Sequence, residues 1–476
     1  MESHLFKTLR GSSNLVFARS RQRVEIMADQ LRRMSENRVI PNEFFPHHGN
    51  LSKDLRESLE ARLKDGNLPT TAVTTTTLEL GIDIGDVKSV AEIGAPHSLS
   101  GLRQRLGRSG RRQGRSSILR IYTEEAQLTS KSSPIDQLRQ DTMMSVAAVR
   151  LLLQKWCETP ATDALHLSTL VHQILALVTQ YGGMSAAGLF RQLCGQGAFQ
   201  NISQNLFILV LKQMGSSKAK LLEQADDGSL LLGEIGEQIV SRYDFYAVFQ
   251  TPEEYRLESR SQILGQVPAQ AYYAPEQYFI FAGRRWKILD IDNDKKVIQV
   301  EPARAGSVPS FYFSGREEIS DKLVQEMRAV YMDAVPILYC DNTAKRFINE
   351  ARDAFFKLGL LKSNILAKGK STYIFPWVGS RYQDTLIHWL SSYDSLNVYN
   401  EGIAIQIKAS YDKTIEILTD MKNNGKPDAY KLAQKIKMKE HQKFHRFLNE
   451  RLLNEEISRD WLKTDGISAI VEQLLP

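Results

Sequence analysis

At 476 residues the chain is too long for a single hydrophobic core, and its length suggests roughly three domains. Its 42% hydrophobic and 24% charged residues are those of an ordinary globular protein, with no apolar run of about eighteen residues to span a membrane and no N-terminal secretory signal. The 61 Lys and Arg against 55 acids give +6, which permits a polyanionic partner without demanding one, and the scattered Cys157, Cys194 and Cys340 exclude a disulfide framework or CxxC zinc site and predict free thiols in a reducing cytoplasm.

The first 125 residues read as alternating strand and helix. Asn14 to Ala18 is a short buried strand, Arg21 to Met34 an amphipathic helix, and Ser52 an N-cap for a helix through Leu63. Strands follow at 70–74 and 87–93, then a short helix at Leu99 to Leu106 and a strand at 117–122. This alternation predicts a parallel sheet with helices on both faces over residues 1–130. Residues 131–245 read as mostly helical, ending in two strands around an Asp-Asp-Gly-Ser turn, the pattern of a winged helix. A small β-barrel is expected over 246–318 and an α/β C-terminal module over 319–476. Within that module Pro427 to Leu453 reads as a Lys-rich helix, either a nucleic-acid face or an ordinary amphipathic helix.

Chemistry concentrates in two segments. Gln104-Arg-Leu-Gly-Arg-Ser-Gly-Arg111 sets Arg108 and Arg111 three apart among small residues, so that both guanidinium groups can meet one polyanion. Thr74-Thr-Thr-Thr-Leu-Glu-Leu-Gly-Ile-Asp-Ile84 runs a β-branched strand into hydroxyls suited to a phosphodiester, with Gly81 for a tight turn and Asp83 as a carboxylate. Taken alone, a basic surface loop and a Thr-capped strand end explain these segments as well.

Together with Asn14-Leu-Val-Phe-Ala-Arg-Ser-Arg21 and His47-His-Gly-Asn-Leu-Ser52, they resemble helicase motifs IV, IVa, V and VI, in order and within one domain length. The wording of motif V, with Asp244-Phe-Tyr-Ala-Val-Phe, Pro252-Glu-Glu-Tyr255, Gly283-Arg-Arg-Trp286 and Val300-Glu-Pro302, is similar to the Lhr (large helicase-related) family of superfamily 2. That resemblance implies a second RecA-like domain for residues 1–130. It also implies ATP as cofactor, with Arg108 and Arg111 as arginine fingers, Gln104 supporting them, and Gly81 and Asp83 near the nucleotide. Ser20, Arg21, Gly49 and Thr75 would hold a nucleic-acid backbone, assisted by His48 and Arg56. Trp286, among Arg284, Arg285 and Lys287, reads either as a base-stacking platform or as barrel core.

The phosphate-cradling Gly-x-x-x-x-Gly-Lys-Ser/Thr and the Mg²⁺-holding Asp-Glu-x-His of a first RecA-like domain do not occur in the sequence. Gly369-Lys-Ser-Thr372 is a decoy, because Asn364 stands where the pattern needs glycine and a strand follows instead of a helix. The expectation is therefore a half-motor. It would bind single-stranded nucleic acid, DNA ahead of RNA, and share ATP and Mg²⁺ with a first RecA-like domain supplied in trans or lost by truncation. The alternative is a non-catalytic nucleic-acid-binding scaffold.

Overall fold

Short apolar and β-branched runs at Asn14–Ala18 (β1), Phe44–His47 (β2), Thr71–Thr74 (β3), Ser89–Ile93 (β4) and Leu119–Tyr122 (β5) form the first sheet of the computed structural model. All neighbours pair in parallel, in the order β2-β3-β1-β4-β5. The three central strands are buried at every position, as a sheet covered on both faces requires. The structure describes residues 1–79, 83–110, 114, 116–249, 254–260, 262–268, 275–292, 295–303, 318–333, 335–393, 396–437 and 439–476.

The helices of this region are Glu2–Leu9 (α1), Arg21–Glu36 (α2), Lys53–Asp65 (α3) and Leu99–Leu106 (α4). Ser20, Ser52 and Ser98 cap α2, α3 and α4, each hydroxyl accepting a backbone N–H from the first turn. Leu5, Leu9, Val24, Met27 and Leu31 pack on Val16, Val73 and Ala91. Leu59 and Leu63 pack with Leu15, Phe17 and Ala72 in a separate cluster. Alternate strand residues thus face different helix layers, the outcome of a period-2 side-chain pattern.

The chain divides into two compact units, Met1–Glu158 with Pro252–Leu358, and Thr159–Thr251 with Gly359–Pro476. This division cuts across the expected segments. In the first unit, the helix Gln140–Leu153 lies against Asp321–Met332 and Asn342–Lys357, although these fall in different expected segments. Tyr331 seals that contact: its ring stacks on Phe355 at 5.2 Å and its hydroxyl donates to the Leu138 carbonyl at 2.6 Å. Arg150 adds an ion pair to Asp333 at 2.7 Å.

The first unit also holds a five-stranded sheet in the spatial order Gln262–Pro268, Glu254–Ser259, Val297–Pro302, Arg284–Asp292, Tyr278–Phe281. Only the Val297–Pro302 and Glu254–Ser259 pair is parallel. Its core is Leu257, Phe279, Phe281, Trp286, Ile288, Ile298 and Val300. Trp286 is 5% exposed and donates its indole N–H to the Phe281 carbonyl at 2.8 Å. The stacking reading of Trp286 is therefore corrected: alternation along Arg284–Asp292 turns Trp286 and Ile288 inward.

In the second unit, helices Leu167–Tyr181, Ala186–Phe190, Gln204–Met214 and Glu234–Val240 accompany a three-stranded antiparallel sheet, Met184–Ser185, Ser229–Leu232 and Leu222–Gln224. The turn between the last two strands is the expected Asp-Asp-Gly-Ser, with Gly228 at φ 82°. A separate four-stranded antiparallel sheet carries the helices Ser380–Leu390, Tyr411–Asn424 and Ile467–Leu474. There Gly369 forms the hairpin turn between Ile365–Lys368 and Ser371–Ile374, as its φ of 62° allows.

The expected helix at 427–453 is not continuous. It resolves into Ala429–Lys435, a 3-10 turn His445–Phe447 and Glu450–Asp460. Phe444 and Leu448 plunge into the core of this unit, and the lysines that precede them make local contacts. Lys439 pairs with Glu450 at 2.9 Å, and the Lys443 ammonium donates to the carbonyls of Asp244 and Ala247. These cations are engaged locally and do not line one open face.

Candidate nucleotide and nucleic-acid interface

A parallel sheet delivers its strand carboxyl ends to one edge, where open α/β sheets bind ligands. Three neighbouring strands end there in motif residues: β2 runs into His48 and Gly49, β3 into Thr75, and β1 into Ser20 and Arg21. Thr75 donates its N–H to the His47 carbonyl at 3.4 Å, joining two of these ends. The Ser20 hydroxyl is committed to capping Arg23 N–H at 3.1 Å. Arg21 is half exposed, with its guanidinium 3.8 Å from Glu254. Gly49 is exposed and borders open space. Arg56 is partly buried and donates to the Leu51 carbonyl at 3.3 Å.

Beneath these loops lies a polar network that sequence reasoning missed. His47, buried at the end of β2, contacts Thr77 Oγ1 and Glu60 Oε1, each at 2.9 Å, and Thr77 meets Thr74 at 3.1 Å. Burial lowers the His47 pKa below its ordinary 6.5, despite the opposing Glu60 carboxylate. The threonine run is thus tied from below to the motif IVa strand.

His48 does not face the strand-end edge, contrary to expectation. It is 1% exposed, its Nε2 lies 2.7 Å from Glu25 Oε1, and its ring meets Phe281 edge-on at 5.8 Å. Glu25 also accepts the backbone N–H groups of Ala282 and Gly283, at 2.7 and 2.5 Å. The adjacent Asn50 carbonyl accepts Gln266 N–H at 2.7 Å, and Ser52 N–H donates to Leu264 at 3.0 Å. His48 is thus part of the seam joining the parallel sheet to the second sheet, which removes it from contact with a ligand.

The arginine segment lies at the opposite end of β4. Helix α4 starts beyond the carboxyl end of β4 and runs back, so that Ser109 bridges Val87 and Gly110 N–H donates to the Val87 carbonyl at 3.4 Å. Arg108, half-buried, follows directly on the helix, with its N–H on the Arg105 carbonyl at 2.9 Å. Gly110 has φ 68°, and a Cβ there would come within 2.6 Å of the Ser117 backbone nitrogen, so only glycine fits. Gln104 is exposed on α4. Asp83 is exposed and pairs with Lys64 at 2.9 Å. Gly81 and Arg111 lie outside the described residues.

Arg105 was not among the expected site residues, yet it bridges the two motifs. Its guanidinium reaches Glu79 Oε2 at 2.9 Å and Glu92 Oε1 at 2.5 Å, above the Phe17 ring at 5.2 Å. Burial opposes its charge, but Glu92 and Glu79 outweigh that and raise its pKa further. The signal was available: motif V carries an acid at Glu79 and motif VI a third arginine at Arg105.

The helicase conserved C-terminal domain family matches residues 2–113. The ATP-dependent helicase Lhr-Core of Saccharolobus solfataricus is 24% identical over 317 residues, covering 63% of this chain and 34% of that protein. Its counterpart in Sulfolobus acidocaldarius is 41% identical over 100 residues, 21% of this chain and 11% of that protein. The chain is thus similar to the Lhr-type superfamily 2 helicases, and its residues 2–113 to their conserved C-terminal domain. It spans only the stated minor share of these Lhr relatives. In fold it is similar to the Mycobacterium smegmatis helicase Lhr, solved bound to ssDNA and AMP-PNP. That likeness has a TM-score of 0.63 at 17% identity over 100% of this chain and 65% of that one. Among the described residues, no helix is long and apolar enough to cross a membrane.

Proposed function

We propose that this chain is the finger-bearing side of an ATP-driven motor on single-stranded nucleic acid. The observation that carries the reading is the use of both ends of one rigid sheet. Thr75, Arg21 and Gly49 stand at the carboxyl ends of neighbouring strands, and Arg108 stands at the amino end of β4. The residues around Arg108 fit a nucleotide phosphate: Gly107, Ser109 and Gly110 are small, and Gly110 has no room for a side chain. Arg108 and Arg111 would meet the γ-phosphate of ATP, steadied by Gln104, with Gly81 and Asp83 alongside. ATP would supply the phosphoryl group whose transfer drives opening and closing against a first RecA-like domain. Among the described residues no group of three or more His, Cys, Asp or Glu side chains could hold a metal ion. Mg²⁺ would be held mainly by that first domain and the nucleotide.

In this reading residues 131–245 form a winged-helix region and 246–318 a small barrel, both accessory to the motor. The ssDNA in the solved M. smegmatis relative supports DNA ahead of RNA as the strand, and a cytoplasmic site of action fits the free thiols. Strand affinity measured against salt by fluorescence anisotropy tests the reading. Binding should weaken steeply with salt, and Arg21→Ala should lower the log–log slope by roughly 0.7 on a single strand. An affinity indifferent to salt would contradict it.

A further inference from the structure

Tyr243 and Tyr246 are 92% and 85% exposed, with ring centroids 6.3 Å apart, and Phe249 nearby is 79% exposed. Three large aromatics left in water within seven residues of chain forgo substantial burial, which marks a contact surface. The segment that bears them is firmly anchored. Phe245, between the tyrosines in a 3-10 turn, is buried and stacks on His172 at 4.6 Å. The His172 Nε2 lies 2.9 Å from the Phe245 carbonyl oxygen. Lys443 fixes the same turn from its other side, donating to the carbonyls of Asp244 and Ala247, the latter at 2.8 Å. One aromatic goes in, and its two neighbours are pushed out.

The surroundings are cationic. Arg242 and Arg446 both lie close enough to Lys443 to act on its charge, as does the Asp244 carboxylate. Arg242 holds Asp244 at 3.1 Å, and Arg446 sits over the Phe447 ring at 4.8 Å. Aromatic faces interleaved with cations complement a ligand that has flat π-faces and a polyanionic backbone.

We propose that Tyr243 and Tyr246 form a stacking platform for the bases of single-stranded nucleic acid, with Arg242 and Arg446 on its phosphates. This rests on the motor reading above and adds to it a second grip, in the other compact unit and independent of the sheet edge. The platform reads bases by their faces, so it should be indifferent to sequence but not to the presence of a base.

The test compares the affinity of the full chain for an oligothymidylate and for an abasic strand of equal length. Wild type should prefer the strand with bases. The double variant Tyr243→Ala, Tyr246→Ala should lose about 10- to 100-fold on oligothymidylate and little on the abasic strand. The double variant Tyr243→Phe, Tyr246→Phe should retain wild-type affinity, since stacking needs the ring and not the hydroxyl. Full oligothymidylate affinity in the alanine variant overturns the platform, and if Arg21→Ala still weakens both strands, the motor reading survives it. Full strand affinity with lost binding to a first RecA-like domain would assign the patch to a protein partner instead. Failure of wild type to bind either strand would remove both readings at once.

Discussion

Arg105 and Arg108 stand one helical turn apart and do different work. Arg105 is locked between Glu79 and Glu92, so its role is to fix the motif V loop against motif VI. Replacing it with alanine takes a charge partner from the Glu92 carboxylate, whose side chain is 2% exposed, and from Glu79, and should destabilise the first unit by about 3–5 kcal/mol. Chemical denaturation of Arg105→Ala checks this, and a stability equal to wild type would show the bridge to be inert. Trp286→Ala should likewise cost about 3–5 kcal/mol as a large-to-small core change. Its effect on strand affinity under conditions where the variant stays folded should be small, and a large loss there would restore the stacking reading. Trp286 also shows why this choice is hard in a sequence. Flanking Arg284, Arg285 and Lys287 advertise a surface, yet strand alternation turns the indole inward to satisfy its N–H on the Phe281 carbonyl.

At the scale of elements, the parallel sheet is largely legible because its central strands are short, apolar and buried on both faces, and Ser52 announces the helix after it. Strand β2 is not: Phe44–His47 is four residues long, includes a proline and pairs only with β3. The seam holding His48 is not legible either, since Glu25 and Gly283 are joined only by the fold. The helix at 427–453 fails for a related reason. Phe444 and Leu448 mimic helical spacing, but the chain between them winds as the 3-10 turn His445–Phe447 while both enter the core. Of the site, the motif order is readable, while the network under Thr75 is not. His47, which anchors that network, has its pKa lowered by burial, as does His172 in the second unit. Both groups resist a proton that the unfolded chain accepts below the ordinary 6.5, so stability should be full above that pH and decline as pH falls through it. Thermal midpoints at pH about 7.5 and about 5.5 should show that decline, with His47→Gln reducing it. A midpoint that rises on acidification would contradict the assignment.

For the whole molecule, the account makes the chain half of a catalytic cleft. Arginine fingers stabilise charge on a phosphoryl group only when another domain presents that group to them. Intact Gln104, Arg108 and Arg111 have no evident purpose in a scaffold that never meets ATP. The two accounts separate in a single measurement of ATP turnover, made with and without an Lhr-type first RecA-like domain and single-stranded DNA. The chain alone should give background hydrolysis. Together with that domain, turnover should appear and rise with DNA, and Arg108→Ala should lower it by about 10³-fold with strand affinity largely kept. Turnover by the chain alone that is unaffected by Arg108→Ala, or none in the mixture, would contradict the account.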